Sequence, residues 1–323
     1  MKKPITITAL ILLIFPILLG CQSPSNLPAV PVPSPSNASP PPLENIIWRL
    51  DYATVKYDSQ GNELWVARYN GPGNNIDDAR ALVVDDAGNV YVTGGSRGER
   101  GNGIREDYAT IKYDGNGKEL WVACYTGPGD GDNTATALGI DGKGNVYVTG
   151  QSNSQKGDLD FATVKYDSRG NELWVARYNG PGNNVDGADA LVVDSEGNVY
   201  VTGNSRGNKG HDDYATIKYD TNGNQLWVAR YDDGSSTALA VDNAGNVYVT
   251  GFSRAGDDLH YATVKYDSNG TQLWASTYND PEGGQDIAYA LAVDNMGNVF
   301  VTGRSIGANY DYATVKYDSR GNE

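Results

Sequence analysis

Residues 51–94 read DYATVKYDSQGNELWVARYNGPGNNIDDARALVVDDAGNVYVTG, and the chain restates this text to its last residue. The opening phrase returns from Tyr108, Phe161, Tyr214, Tyr261 and Tyr312. The Leu-Trp pair returns at Trp121, Trp174, Trp227 and Trp274, and the closing V-T-G at Gly150, Gly203, Gly251 and Gly303. Successive tryptophans stand 56, 53, 53 and 47 residues apart. That is the length of a propeller blade rather than of a helical solenoid repeat.

Each unit divides into four strand-like runs. Tyr52–Asp58 and Leu64–Tyr69 are rich in Tyr, Val, Thr and Trp, which suit a pleated, half-buried surface. Ala81–Asp85 and Val90–Thr93 are shorter and more apolar, as strands covered on both sides should be. Asp-x-x-Gly-Asn lies between the first two runs and again between the last two. Glycine there supplies the positive φ of a tight hairpin, and the Asp can bond the turn's own amides. The turn glycines Gly88, Gly144, Gly197, Gly245 and Gly297 are therefore expected at positive φ. No stretch holds a helical period. Four antiparallel strands per unit make one blade per unit, so the fold class is all-β, a β-propeller of about five four-stranded antiparallel blades.

Upstream of the repeats the text changes character. Lys2 and Lys3 precede an apolar run, Ala9–Leu19, which ends in Leu18-Leu19-Gly20-Cys21. A basic start and about a dozen apolar residues describe a secretory signal, too short to span a membrane comfortably. Leu-Leu-Gly-Cys resembles the lipobox of bacterial lipoproteins, which makes Cys21 the expected lipidation site. The alternative is an ordinary signal peptide or uncleaved anchor with a coincidental Cys. Gln22–Leu43, rich in Pro and Ser, cannot bury enough apolar surface to fold and suits an extended tether. The expected organisation is residues 1–20 as lipoprotein signal peptide, 21–46 as lipidated Cys and Pro/Ser-rich tether, and 47–323 as the repeat domain. It places the protein outside the cytoplasm, lipid-anchored to the bacterial cell envelope at the outer membrane or cell surface.

The formal net charge of −15 argues against nucleic acid and against an anionic lipid surface as partners, leaving the lipid on Cys21 as the membrane contact. Cys21 and Cys124 are the only cysteines, so no disulfide framework and no Cys metal site is possible. Cys124 stands where Arg68, Arg177 and Arg230 stand in other copies and reads as a half-buried strand residue.

The repeat text resembles the bacterial β-propeller repeat family called the SBBP, or seven-bladed β-propeller, repeat. The carrying residues are Asp51–Asp58, Gly61–Trp65 and Asp85–Gly94, and their copies extend the resemblance from about Asp51 to the end. It implies a propeller and an exported or surface location, but no reaction and no cofactor. A more distant likeness to NHL-type repeats implies the blade order a (Ala81–Asp85), b (Val90–Thr93), c (Tyr108–Asp114), d (Leu120–Tyr125). On that order the chain holds 21 strands, five blades and one strand over, and stops inside a c–d turn. Such a count is expected of a piece of a larger ring or of a recombined array. As it stands, Leu64–Tyr69 should complete the last blade and close a five-bladed ring. One of the two DYATVKYDS copies, Asp51–Ser59 or Asp311–Ser319, would then be displaced.

Candidate chemistry is sparse. The tryptophans could stack on sugars, but mid-strand positions beside Leu fit blade-to-blade packing better. The turn carboxylates Asp58, Asp114, Asp167, Asp220 and Asp267 lack the later Glu of a calcium loop, so turn chemistry explains them. His211 and His260 fall at non-equivalent places and suit neither a triad nor a metal site. No blade is seen to break the repeat toward the axis, as an enzyme's should. Variation gathers in the b–c segments (Gly95–Glu106, Gln151–Leu159, Asn204–Asp212, Phe252–His260, Arg304–Tyr310) and the d–a segments (Asn70–Arg80, Asn179–Asp189, Asp232–Thr237). Antiparallel order puts both sets on one face, where Asp77, Asp78, Asp130, Asp132, Asp186, Asp189, Asp232, Asp233, Asp280, Glu282 and Asp286 give acidic character. Variable loops on a rigid scaffold are where binding sites usually lie. The expected function is a binding or scaffold module that meets a protein, peptide or glycan through this face; the alternative is an envelope propeller hydrolase or lyase working at the central channel. Solvated loops on an acidic exported protein would account for the same charges without any ligand.

Overall fold

A computed structural model describes residues 50–323 apart from 101, 102, 282 and 308, together with the backbone but not the side chain of Arg100. The leader, Cys21, the tether and Glu282 lie outside the described residues. The strands are β1 (Tyr52–Tyr57), β2 (Glu63–Tyr69), β3 (Asp77–Val84), β4 (Val90–Arg100), β5 (Gly103–Tyr113), β6 (Glu119–Tyr125) and β7 (Asn133–Ile140). They continue as β8 (Val146–Asn153), β9 (Leu159–Tyr166), β10 (Glu172–Tyr178), β11 (Asp186–Val193), β12 (Val199–Arg206), β13 (Asp212–Tyr219) and β14 (Gln225–Tyr231). The last are β15 (Gly234–Val241), β16 (Val247–Ala255), β17 (Asp258–Tyr266), β18 (Gln272–Tyr278), β19 (Ile287–Val293), β20 (Val299–Ile306) and β21 (Tyr310–Tyr317). No described residue is helical.

Hydrogen bonding sorts these strands into six antiparallel sheets. Sheet I is β1–β2; sheets II to V are the four-stranded blades β3–β6, β7–β10, β11–β14 and β15–β18; sheet VI is β19–β21. The expected a, b, c, d order holds in every complete blade. The a strands of successive blades pack on one another, which makes a the innermost strand and d the rim.

The apolar cores lie between blades rather than within them. Between sheets III and IV, Tyr147 and Phe161 meet Val199, Val201, Ala215, Ile217 and Tyr219. The same set recurs between IV and V as Tyr200 and Tyr214 against Val247, Val249, Ala262, Val264 and Tyr266. Each blade is therefore stabilised mainly by its neighbours, as in other nearest-neighbour repeat arrays.

The tryptophans belong to this packing. Trp174 Nε1 donates to the Thr221 carbonyl in the next blade's c–d turn at 3.1 Å, and Trp65, Trp121, Trp227 and Trp274 make the equivalent bond. The indole lies against the turn glycine: a Cβ on Gly223 would fall 2.7 Å from the Trp174 ring. Burial of such a ring contributes roughly 2–3 kcal/mol.

The a–b turn glycines have φ between 78° and 85°, as the hairpin reading requires. In both turn types the Asp carboxylate closes the loop. Asp141 Oδ1 accepts from the amides of Lys143 and Asn145, and Oδ2 from the Asn145 side chain.

Three expectations need correction. Strand a begins about four residues earlier than Ala81 and strand b runs past Thr93, so most of each supposed b–c loop is paired hairpin. A bulge between Ala79 and Ala81 hides the alternation in a, while the polar and glycine residues after Thr93 still pair, Ser96 with Asp107 among them. The five-bladed ring closed by Leu64–Tyr69 does not form. β2 pairs with β1 and β21 with β20, so neither DYATVKYDS copy is displaced. Each copy finds its hairpin partner nearby in sequence, where loop closure costs least entropy. Finally, among the described residues sheet I holds only β1 and β2, and Leu82 and Val84 of β3 are about half exposed rather than covered on both sides.

Candidate functional site

The face carrying the b–c hairpin tips and d–a loops is organised by a carboxylate or amide at the start of each inner strand. Asp77, Asn133, Asp186 and Asp286 hold this place in sheets II, III, IV and VI, and all are buried. Asp186 Oδ2 accepts from the Gly180 amide at 2.6 Å and Oδ1 from the Arg206 amide at 3.0 Å. Ser205 adds a hydroxyl bond. Asp77 accepts from the Gly71 amide and the Ser96 hydroxyl, and Asp286 from the Asp280 amide and the Ser305 hydroxyl. In sheet III the amide does the same work: the Ser152 hydroxyl and the Asn153 amide donate to Asn133 Oδ1. Each therefore ties its d–a loop to the following b strand. Sheet V has Gly234 instead; there Asp213 of the preceding blade takes the Asp233 amide at 3.0 Å.

This placement changes the acidic face. Asp77, Asp186 and Asp286 do not face solvent, because their oxygens are turned inward onto loop amides and hydroxyls. For Asp186, desolvation raises the carboxyl pKa above the ordinary range even though Gly180, Ser205 and Arg206 pull it down. The exposed charges are Asp78, Asp130, Asp132 and Asp232, with Asp233 half-buried. Several already have partners: Asp78 lies 3.3 Å from Arg80, Asp232 3.0 Å from Lys209, and Asp132 accepts the Glu106 amide. Asp280 approaches Ser305.

Two blades carry an arginine clasp beneath the same face. Arg177 donates to the Tyr125 hydroxyl, the Ser152 hydroxyl and carbonyl, and Asp160. Arg230 repeats the set one blade on with Tyr178, Ser205 and Asp213. Cys124 replaces this Arg in sheet II. It is exposed rather than half-buried, and desolvation by the surrounding protein raises its thiol pKa, so thiolate is disfavoured. In sheet IV the b–c tip and d–a loop border a shallow polar depression of about 320 Å³, lined by residues including Pro181, Asn184, Arg206 and Asn208.

The inner edge differs from expectation. Every a strand has a register shift at the same point, and the residue displaced there is Arg80, Thr136, Asp189, Thr237 and Tyr289 in turn. So the repeat does vary toward the axis, at one position per blade. The signal was in the text: within A-x-A-L (Ser236 opening the sheet V copy) only x changes in size and charge. Asp189 therefore belongs to the inner edge rather than to the loop face. Among the described residues, His211 and His260 fall in no group of His, Cys, Asp or Glu arranged to hold a metal.

Comparison with known proteins agrees with this architecture. Residues 64–99, 120–156, 173–209 and 282–311 match the family model SBBP, described as a beta-propeller repeat. No curated protein matches. A solved structure described as the Dos1 propeller is similar at a TM-score of 0.54 and 14% identity over 83% of this chain. The matched part is 62% of that propeller, so this chain spans less than two thirds of its length. A gluconolactonase from Xanthomonas campestris, XC5397, is similar at a TM-score of 0.41 and 14% identity, covering 81% of this chain and 78% of that one. At 14% identity the likeness to the Dos1 propeller speaks to the fold alone, and the weaker likeness to XC5397 carries no argument.

Proposed function

We propose that this chain, which is built of SBBP beta-propeller repeats, serves as a binding module displayed at the cell envelope, meeting a protein, peptide or glycan through its d–a loops and b–c tips. One observation carries this reading. The loops differ from blade to blade while a buried Asp or Asn holds their bases in one geometry in four sheets. A fixed base under variable tips is the arrangement that lowers the ordering cost of binding. Asp78, Asp130, Asp132, Asp232 and Asp233 are the charges a ligand would meet.

The test is binding of the full chain to a glycan array and to envelope extracts, before and after those five residues are changed to Asn. A graft of the 179–185 loop onto the 126–132 position extends it. Altered binding at an unchanged melting temperature supports the reading; unchanged binding by both variants overturns the assignment of this face. Anchoring rests on Leu18–Cys21 and the Pro/Ser tether. Cys21→Ser should move the protein from the membrane to the soluble fraction, and a variant that stays membrane-bound refutes lipidation.

A further inference from the structure

The displaced inner-edge residue has a defined job in two blades. The Thr136 hydroxyl lies 2.6 Å from the Ala188 carbonyl of the next blade, and the Thr237 hydroxyl 2.7 Å from the Ala288 carbonyl of the blade after its own. Each also lies 3.2 Å from a carbonyl in its own b strand, Thr149 and Thr250 respectively. A donor at this position thus fastens one innermost strand to the next. Between sheets IV and V the same position is Asp189, and the carbonyl equivalent to those of Ala188 and Ala288 is that of Ser236. An ionised carboxylate has no proton to donate and would face that carbonyl with like polarity. A protonated carboxyl is a donor whose reach slightly exceeds that of a threonine hydroxyl.

We propose that Asp189 is a proton-operated fastener between the blades of sheets IV and V, closed when its carboxyl is protonated and donates to the Ser236 carbonyl. The surroundings fit this role. Asp189 is exposed at the inner edge, yet desolvation by the neighbouring protein pushes its pKa up to about 7. No described side chain bonds it. The strands packed on β11 are β7, β8, β9, β12 and β15, and β7 and β15 carry no ionisable group. On the others, Asp160 is held by Arg177, Lys165 donates to the Thr221 carbonyl, and Arg206 pairs with Asp212. Tyr147 and Tyr200 bond Asp141 and Asp194, and Tyr166 packs against Trp121. Asp186, on β11 itself, is turned onto the d–a loop. None of these charges offsets the desolvation of Asp189.

A carboxyl whose folded pKa lies above its unfolded value supports the fold fully below the unfolded pKa and loses that support as pH rises to the folded one. Here that window runs from about pH 4 to about pH 7. The experiment compares the full chain with Asp189→Thr and Asp189→Asn by thermal unfolding from pH 4 to 8. Hydrogen exchange of β11 and β15 amides, corrected for intrinsic rates, is read over the same range. Asp189→Thr copies the two sister blades, and Asp189→Asn keeps the shape with a permanent donor. All three proteins should melt alike near pH 4. The parent should then fall progressively below both variants up to pH 7 and hold steady above it, with exchange rising in β11 and β15 of the parent only. Carboxyl NMR should place the Asp189 midpoint near neutrality. A constant gap at all pH values, or an Asp189 midpoint in the ordinary carboxylate range, overturns the proposal.

Discussion

Replacing Asp186 with alanine separates a structural carboxylate from a ligand-facing one. The side chain is fully buried and accepts from two backbone amides, Gly180 at 2.6 Å and Arg206 at 3.0 Å, as well as from Ser205. Alanine leaves those donors buried without a partner. Each orphaned donor costs about 1–3 kcal/mol, offset in part because a desolvated carboxylate is also removed. A net loss of about 2–4 kcal/mol follows, and at about 2–4 °C per kcal/mol for a domain of this class the melting temperature should drop by roughly 4–16 °C. Asp78→Ala is the control: its carboxylate is 58% exposed and paired only with Arg80, so stability should move by less than about 0.5 kcal/mol. Calorimetry gives the midpoints, and limited proteolysis reports opening of the 179–185 loop. If Asp186→Ala melts with the parent, or Asp78→Ala is the more damaged of the two, the loop-base reading is wrong.

Two further outcomes follow from the turns. Gly61 and Gly223 share a positive φ, but only Gly223 lies under a tryptophan, so Gly223→Ala should destabilise clearly more than Gly61→Ala; equal losses by urea denaturation would deny the indole its place. On acidification, burial pushes Asp141 and Asp242 up, but the bonds from Asn145 and Asn246 outweigh it and hold both carboxyls below the usual range. Their contribution is present above the unfolded carboxyl pKa and lost as pH falls through the folded value, so melting temperature should fall below about pH 4. Melts that stay flat from pH 5 to 2 would contradict this.

The blades were legible because turn glycines, tryptophans and apolar runs each answer to a local rule. The positive-φ glycines and the packing role of Trp65 and its equivalents could be read from one copy of the text, whereas the strand order within a blade came from the likeness to NHL-type repeats. What the sequence hid were contacts that local rules do not describe. Asp77, Asp186 and Asp286 look like surface charges until their loops fold over them. Their constant separation of 19 residues from Ser96, Ser205 and Ser305 was the available clue. The bulge in each a strand breaks the two-residue alternation, so Arg80, Asp189 and Tyr289 were not recognised as a single axial series. Ring closure could not be read at all, because two identical strands competed for one position and only their separate hairpins decided it.

The tryptophan bonds all run in one direction, from the rim strand of one blade to the c–d turn of the following blade. Under mechanical load such an array is a polar chain of clips. Tension on the C-terminal end would first pull the last turn off Trp274, then the preceding turn off Trp227, and so on toward Trp65. Each release would free one blade, on the order of 180 Å of contour for a 53-residue unit, before the next clip felt the force. Extension would therefore come in sawtooth steps set by the blade length, and stretching would absorb work repeatedly instead of in a single rupture.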